Sequence, residues 1–100
     1  MSAELETIKR KIALHKEYLL ETYGVEEIGV FGSYARGDND EDSDIDISIM
    51  LNHKVPVGLF GFARMQFYLE DLLGKKVDLV IKTGIKPLIR DRILSQLVII

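Results

Sequence analysis

One hundred residues, 47% hydrophobic and 29% charged, fit a single domain spanning residues 1–100 with a radius of gyration of roughly 13 Å. The absence of cysteine excludes disulfides, thiolate metal sites and a cysteine nucleophile, so a metal would need oxygen ligands or the two histidines, His15 and His53. The net charge of −3 hides an asymmetry: Asp38, Asp40, Glu41, Asp42, Asp44 and Asp46 form an acidic run without a base, and the rest of the chain is mildly basic.

The first residues are charged and lack the apolar run of a signal peptide, and the longest uncharged apolar stretch, Val55 to Ala63, is too short to span a bilayer. A soluble, cytoplasmic protein with no membrane contact is expected. A domain this small buries a modest core, so a partner subunit and a hetero-oligomer are natural expectations.

In chain order, Leu5, Ile8, Ile12, Leu19 and Tyr23 recur at helical spacing, with Glu4 and Glu6 in the first turn and Gly24 as a stop. Val25 to Phe31 is short and β-branched, a strand that runs into the turn Gly32 to Gly37. Asp44 to Leu51 alternates, with Ile45, Ile47 and Ile49 on one face and Asp44, Asp46 and Ser48 on the other. Val57 to Leu73 reads as a helix closed by Gly74, Lys76 to Ile81 as a third strand, and Pro87 opens a last helix carrying Leu88, Ile89, Ile93, Leu94, Leu97 and Val98. This interleaving predicts an α/β (α+β) fold, a small three-stranded sheet flanked by helices.

Two aspartates at i and i+2 on a strand project from one face with Cα atoms about 6.6 Å apart. Asp44 and Asp46 can therefore converge on a hard cation, which would neutralise their repulsion. Asp78, the lone charge inside Val77 to Ile81, is the candidate third carboxylate. The plainer reading makes Asp44 a turn residue, Asp46 an exposed edge residue and Asp78 a partner of Lys75 or Lys76. An EF-hand is excluded, because Ser43 stands where its glycine belongs and Ile49 where its bidentate glutamate belongs. Upstream, Gly32-Ser33 at a strand end can bring backbone amides and a hydroxyl to a phosphate.

Gly32-Ser33, ten intervening residues, then Asp44-Ile45-Asp46 matches the GSx10DxD signature of the DNA polymerase beta-like nucleotidyltransferases. Its fixed positions recur by accident in roughly one chain in a thousand of this size. Together with Phe31 to Gly37 and Gly74 to Val80, the chain resembles the minimal nucleotidyltransferases over essentially its whole length, the antitoxin partners of HEPN-domain toxins. The resemblance implies a nucleotidyltransferase core with a mixed sheet. In it Gly32 and Ser33 hold the triphosphate of ATP, and Asp44, Asp46 and Asp78 are catalytic ligands of two Mg2+ ions. It further implies transfer of AMP to a hydroxyl, in the antitoxin case a tyrosine of the HEPN toxin.

The alternative is a binding module that neutralises its partner by complex formation alone, against which three assembled carboxylates argue. Arg36 reads as an ion-pair partner of the acidic run, and His15 and His53 lie outside the constellation. The basic residues Lys75, Lys76, Lys82, Lys86, Arg90 and Arg92 lack interleaved aromatics, so nucleic acid is not expected as a direct ligand. Phe60, Phe67 and the terminal Leu97 to Ile100 offer more apolar surface than one core stripe requires, a candidate partner interface.

Overall fold

Ser2 opens α1 (Ala3–Tyr23), its hydroxyl accepting the Leu5 N–H at 3.1 Å, and Gly24 closes it in the left-handed conformation at φ 73°. The computed structural model describes residues 2–100. Strands β1 (Val25–Phe31) and β2 (Ile45–Leu51) run antiparallel, joined through the single helical turn α2 (Ser33–Arg36) and the acidic loop. Helix α3 (Gly58–Leu73) then carries the chain across to β3 (Val77–Ile81), which lies parallel to β2, the geometry for which such a crossover is required. A 3-10 turn (Lys82–Gly84) leads to α4 (Pro87–Gln96) and β4 (Val98–Ile99), giving the sheet order β3-β2-β1-β4.

The period-2 pattern of β2 decides which face is buried. Ile45, Ile47 and Ile49 pack against Leu5, Ile8, Ile12 and Leu19 of α1 and Met65, Leu69 and Leu73 of α3. Burying each such side chain contributes about 1.5–3 kcal/mol, so the two helices are fixed to this face and the carboxylates of β2 to the other. Gly61, Met65, Leu69 and Leu73 form the buried stripe of α3. Phe60 and Phe67 point away from it, 80% and 67% exposed.

The sheet has four strands where the sequence pattern predicts three. The pattern carries the last helix through Leu97 and Val98, but α4 ends at Gln96, Val98 pairs with Val30, Ile99 with Gly29, and the Ile100 N–H donates to the Ile28 carbonyl at 3.0 Å. The open edge of β1 overrides helical periodicity, and Gly29 makes the approach possible: a Cβ there would lie 2.9 Å from the Val98 carbonyl oxygen. Of the terminal residues expected to face a partner, Val98 and Ile100 pack against the core and Ile99 is half-exposed. Among the described residues no helix is long and apolar enough to cross a membrane.

Candidate active site

One rung of the sheet assembles the site. Phe31, the last residue of β1, is opposite Asp46, and Asp46 is in register with Asp78 on β3. Directly opposed residues project to the same side, so the two carboxylates are neighbours on the face that α1 and α3 leave open. Asp46 is half-buried and Asp78 exposed; Asp44 lies one residue before β2 and is exposed as well. Asp78 is exposed because it projects from this open face, whereas its neighbours Val77 and Leu79 are buried on the opposite one. Its suggested pairing with Lys75 or Lys76 is absent: among the described residues the ion pairs are Lys9–Glu6, Arg36–Asp38 and Lys82–Glu27.

Immediately after Phe31, Gly32 adopts φ 73° and ψ −150°, and Ser33 begins α2. Residues with side chains scarcely populate that region. The glycine also makes room for a neighbouring carboxylate. A Cβ at position 32 would overlap the Asp46 carboxylate oxygen Oδ2 and lie 3.0 Å from its Cγ. The space a side chain would take belongs to a carboxylate, and the turn and β2 are interlocked there.

Electrostatics mark Asp46 out. Burial, then the negative charge of Asp78, then that of Asp44, push its carboxyl up to about 6 from the ordinary 3.8, Arg36 opposing them. Asp78 is also close enough to share a hydrogen bond with it. Because the folded value exceeds the unfolded one, this group's contribution to stability is complete below about pH 4 and lost as pH rises through about 6. Asp46→Asn should therefore raise the metal-free melting temperature at about pH 7.5 and change it little at about pH 4. With a discount for partial exposure the gain is about 1 kcal/mol, a shift of several degrees. Equal melting temperatures of variant and parent at the higher pH would show that the carboxylate is not under repulsion.

These residues suit a magnesium ion by chemistry: the donors are all carboxylate oxygen, and the burial of Asp46 and the repulsion from Asp78 and Asp44, only partly offset by Arg36, are what a divalent cation relieves. They are not preformed as a cage. Among the described residues no three acidic or histidine side chains already stand as an ion cluster, since Asp44 and Asp78 reach into solvent. Asp44, Asp46 and Asp78 are the groups that could close on the ion. Arg36 forms an ion pair with Asp38 at 3.1 Å and donates to Gln96 Oε1 at 3.0 Å, as the plainer reading expects. The rest of the acidic run folds into its own turn, the Asp42 N–H donating to Asp40 Oδ1 and the Asp40 N–H to Ser43 Oγ, both at 2.9 Å. His15 meets the Tyr68 hydroxyl and His53 sits in a turn at φ 61°, both outside the site. Sequence reasoning missed Glu70, whose carboxylate accepts the Val77 N–H at 3.0 Å and anchors the start of β3; an acid on a helix bears no sign of such a role.

Comparison with known proteins identifies the family and the fold. The family described as nucleotidyltransferase domain matches residues 12–100. A protein adenylyltransferase, MntA, of Thermococcus cleftensis is 46% identical over 94 residues, covering 94% of this chain and 93% of its own. A Methanocaldococcus jannaschii protein assigned as a protein adenylyltransferase is 41% identical over 97 residues, covering 96% and 97%. Among solved structures, one assigned as a minimal nucleotidyltransferase superposes with a TM-score of 0.71 at 34% identity, covering 94% of this chain and 93% of that one. A chain from a toxin-antitoxin crystal structure with AMP-PNP shares the fold at a TM-score of 0.70 and 22% identity, covering 92% and 70%. With a glycine turn and paired carboxylates at adjoining strand ends, and with relatives matched along nearly their whole length, this chain belongs to the nucleotidyltransferase-domain family, as a minimal nucleotidyltransferase of the protein adenylyltransferase kind.

Proposed function

We propose that the enzyme transfers AMP from ATP to a hydroxyl of a partner protein, a tyrosine of a HEPN-domain toxin, and acts as that toxin's antitoxin. The observation that carries the reading is the single rung on which Asp46 and Asp78 adjoin, with the Gly32-Ser33 turn interlocked against it. The 46%-identical relative is a protein adenylyltransferase, and chains of this fold occur in toxin-antitoxin crystal structures, one of them with AMP-PNP.

In this scheme Ser33 and the backbone amides of the turn grip the triphosphate. Asp44, Asp46 and Asp78 would hold Mg2+, which would neutralise phosphate charge and stabilise the leaving group. The acceptor oxygen attacks the α-phosphorus from the Asp78 side, a new O–P bond forms, and the bond from the α-phosphorus to the bridging oxygen breaks, releasing pyrophosphate. The hydroxyl proton passes to Asp78 and on to water. Ser33 is a phosphate ligand rather than a nucleophile, so Ser33→Ala should weaken nucleotide binding about tenfold and leave no covalent serine intermediate to lose.

The deciding experiment is the intact mass of the co-expressed partner after incubation with ATP and magnesium. A mass increase of one or more AMP groups is expected, lost in the Asp44→Asn/Asp46→Asn double variant. A partner that is neutralised with its mass unchanged would favour inhibition by complex formation alone.

A further inference from the structure

Strand β3 forms one edge of the sheet, and only part of that edge is closed. The Ile45 N–H donates to the Lys76 carbonyl at 2.9 Å, which sets the parallel ladder: Lys76, Asp78 and Val80 turn their backbone groups toward β2, and Val77, Leu79 and Ile81 turn theirs outward. Glu70 closes the first outward position by accepting the Val77 N–H. Beyond it the outward N–H and C=O of Leu79 and the N–H of Ile81 are left open, a strip of the kind that pairs with an incoming strand, while the Ile81 carbonyl caps the 3-10 turn that follows.

A cleft of about 460 Å³ runs along this strip. Three consecutive residues, Leu79, Val80 and Ile81, line it. Successive side chains of a strand point to opposite faces, so a cleft touching all three straddles the edge rather than one face. Phe62 of α3 forms one wall and Ile89 and Ile93 of α4 the other. No residue of α4 is buried, and Leu88 is 98% exposed, so this helix has apolar surface without a partner. Lys86 is the one charged residue in the lining, with no acid opposite it.

We infer that this edge is the acceptor-docking groove: an extended segment of the acceptor protein adds to β3 at Leu79 and Ile81, sets apolar side chains between Phe62 and Ile89, and places an acidic residue at Lys86. The inference rests on the proposed transfer reaction and says how its protein substrate is gripped. Strand direction gives it a purpose. At about 3.3 Å per residue, the segment paired at Leu79 is one residue from Asp78, and the Glu70 plug at Val77 forces it to leave the edge there. The residue at that exit is delivered to the carboxylate that receives the acceptor hydroxyl.

The probe is a synthetic peptide of alternating valine and threonine with a tyrosine at one end and a glutamate at the other, read by amide hydrogen exchange in nuclear magnetic resonance. In the free protein the Leu79 and Ile81 amides should exchange rapidly, and peptide should slow both at least about tenfold while amides between β1 and β2 stay unchanged. Ile89→Glu and Lys86→Glu, both at exposed positions, should weaken peptide binding at least about tenfold with the fold intact. Absence of binding at millimolar peptide, or binding without protection of those two amides, overturns the groove. Protection that grows with protein concentration alone assigns the edge to a second copy and also overturns it. With ATP and magnesium added, undiminished AMP transfer to the peptide tyrosine by Ile89→Glu would sink the groove and leave the transfer reaction standing. Protected amides without any transfer would do the reverse.

Discussion

Gly32→Ala should abolish nucleotidyl transfer and destabilise the fold together, the largest effect expected of any single methyl group in this chain. Two costs coincide at that position. The backbone conformation, φ 73° and ψ −150°, is essentially reserved for glycine, so any side chain adds about 1–3 kcal/mol of strain. The new Cβ would also overlap Asp46 Oδ2, and the contact can be relieved only by moving the carboxylate away from Asp78 or by breaking the β1 end of the sheet. A drop in turnover of at least about a hundredfold is expected from displaced carboxylates alone. Gly37→Ala is the matched control, because Gly37 also has positive φ, 84°, but no atom lies within 4 Å of the Cβ it would gain. That variant should lose about 1 kcal/mol and keep its activity. If Gly32→Ala transfers AMP at the parent rate, the observed position of Asp46 is not the one the reaction uses.

Much of this architecture is legible in the sequence, and particular residues show where that stops. Local rules held where the chain decides its own conformation: Gly24 and Gly74 end helices in the left-handed region, and the Ile45, Ile47, Ile49 alternation fixes the faces of β2. The spacing of Gly32-Ser33 and Asp44-Asp46 suggests a phosphate cradle and a metal site on one surface; that the end of β1 and the start of β2 meet there across an antiparallel pair is visible only in the fold. What was illegible depends on elements distant in sequence. Leu97 and Val98 continue a helical pattern, and only the open edge of β1 and the missing side chain of Gly29 turn them into strand. Helix α3 is apolar around most of its girth, so nothing local could say that Met65, Leu69 and Leu73 face the sheet while Phe60 and Phe67 face out. Asp78 stands out in the sequence as the lone charge in an apolar strand; in the fold it is exposed on the open face, and its interest lies in the register that sets it beside Asp46.

That register leads to the sharpest separation of binding from chemistry. Asp78→Asn should lower turnover about 10²- to 10⁴-fold while nucleotide affinity stays within about threefold of the parent. In the proposed reaction Asp44, Asp46 and the Gly32-Ser33 turn would carry the triphosphate and its metal, whereas Asp78 would hold metal on the acceptor side, meet the acceptor hydroxyl and receive its proton. Its removal costs interactions made in the transition state and few made in the ground state. A merely structural role predicts the opposite signature, a loss of stability, and the structure offers it no support, since Asp78 is exposed and is in none of the ion pairs of the described residues. Stability should instead hold or rise slightly, because removing the charge of Asp78 removes one of the causes that hold Asp46 at about 6. Titration of the Asp46 carboxyl by nuclear magnetic resonance should accordingly move toward the ordinary carboxylate range in Asp78→Asn, a shift that no remote structural substitution would produce. A variant that folds, leaves the Asp46 titration where it was and transfers AMP at the parent rate would remove Asp78 from the reaction and leave Asp44 and Asp46 to act alone.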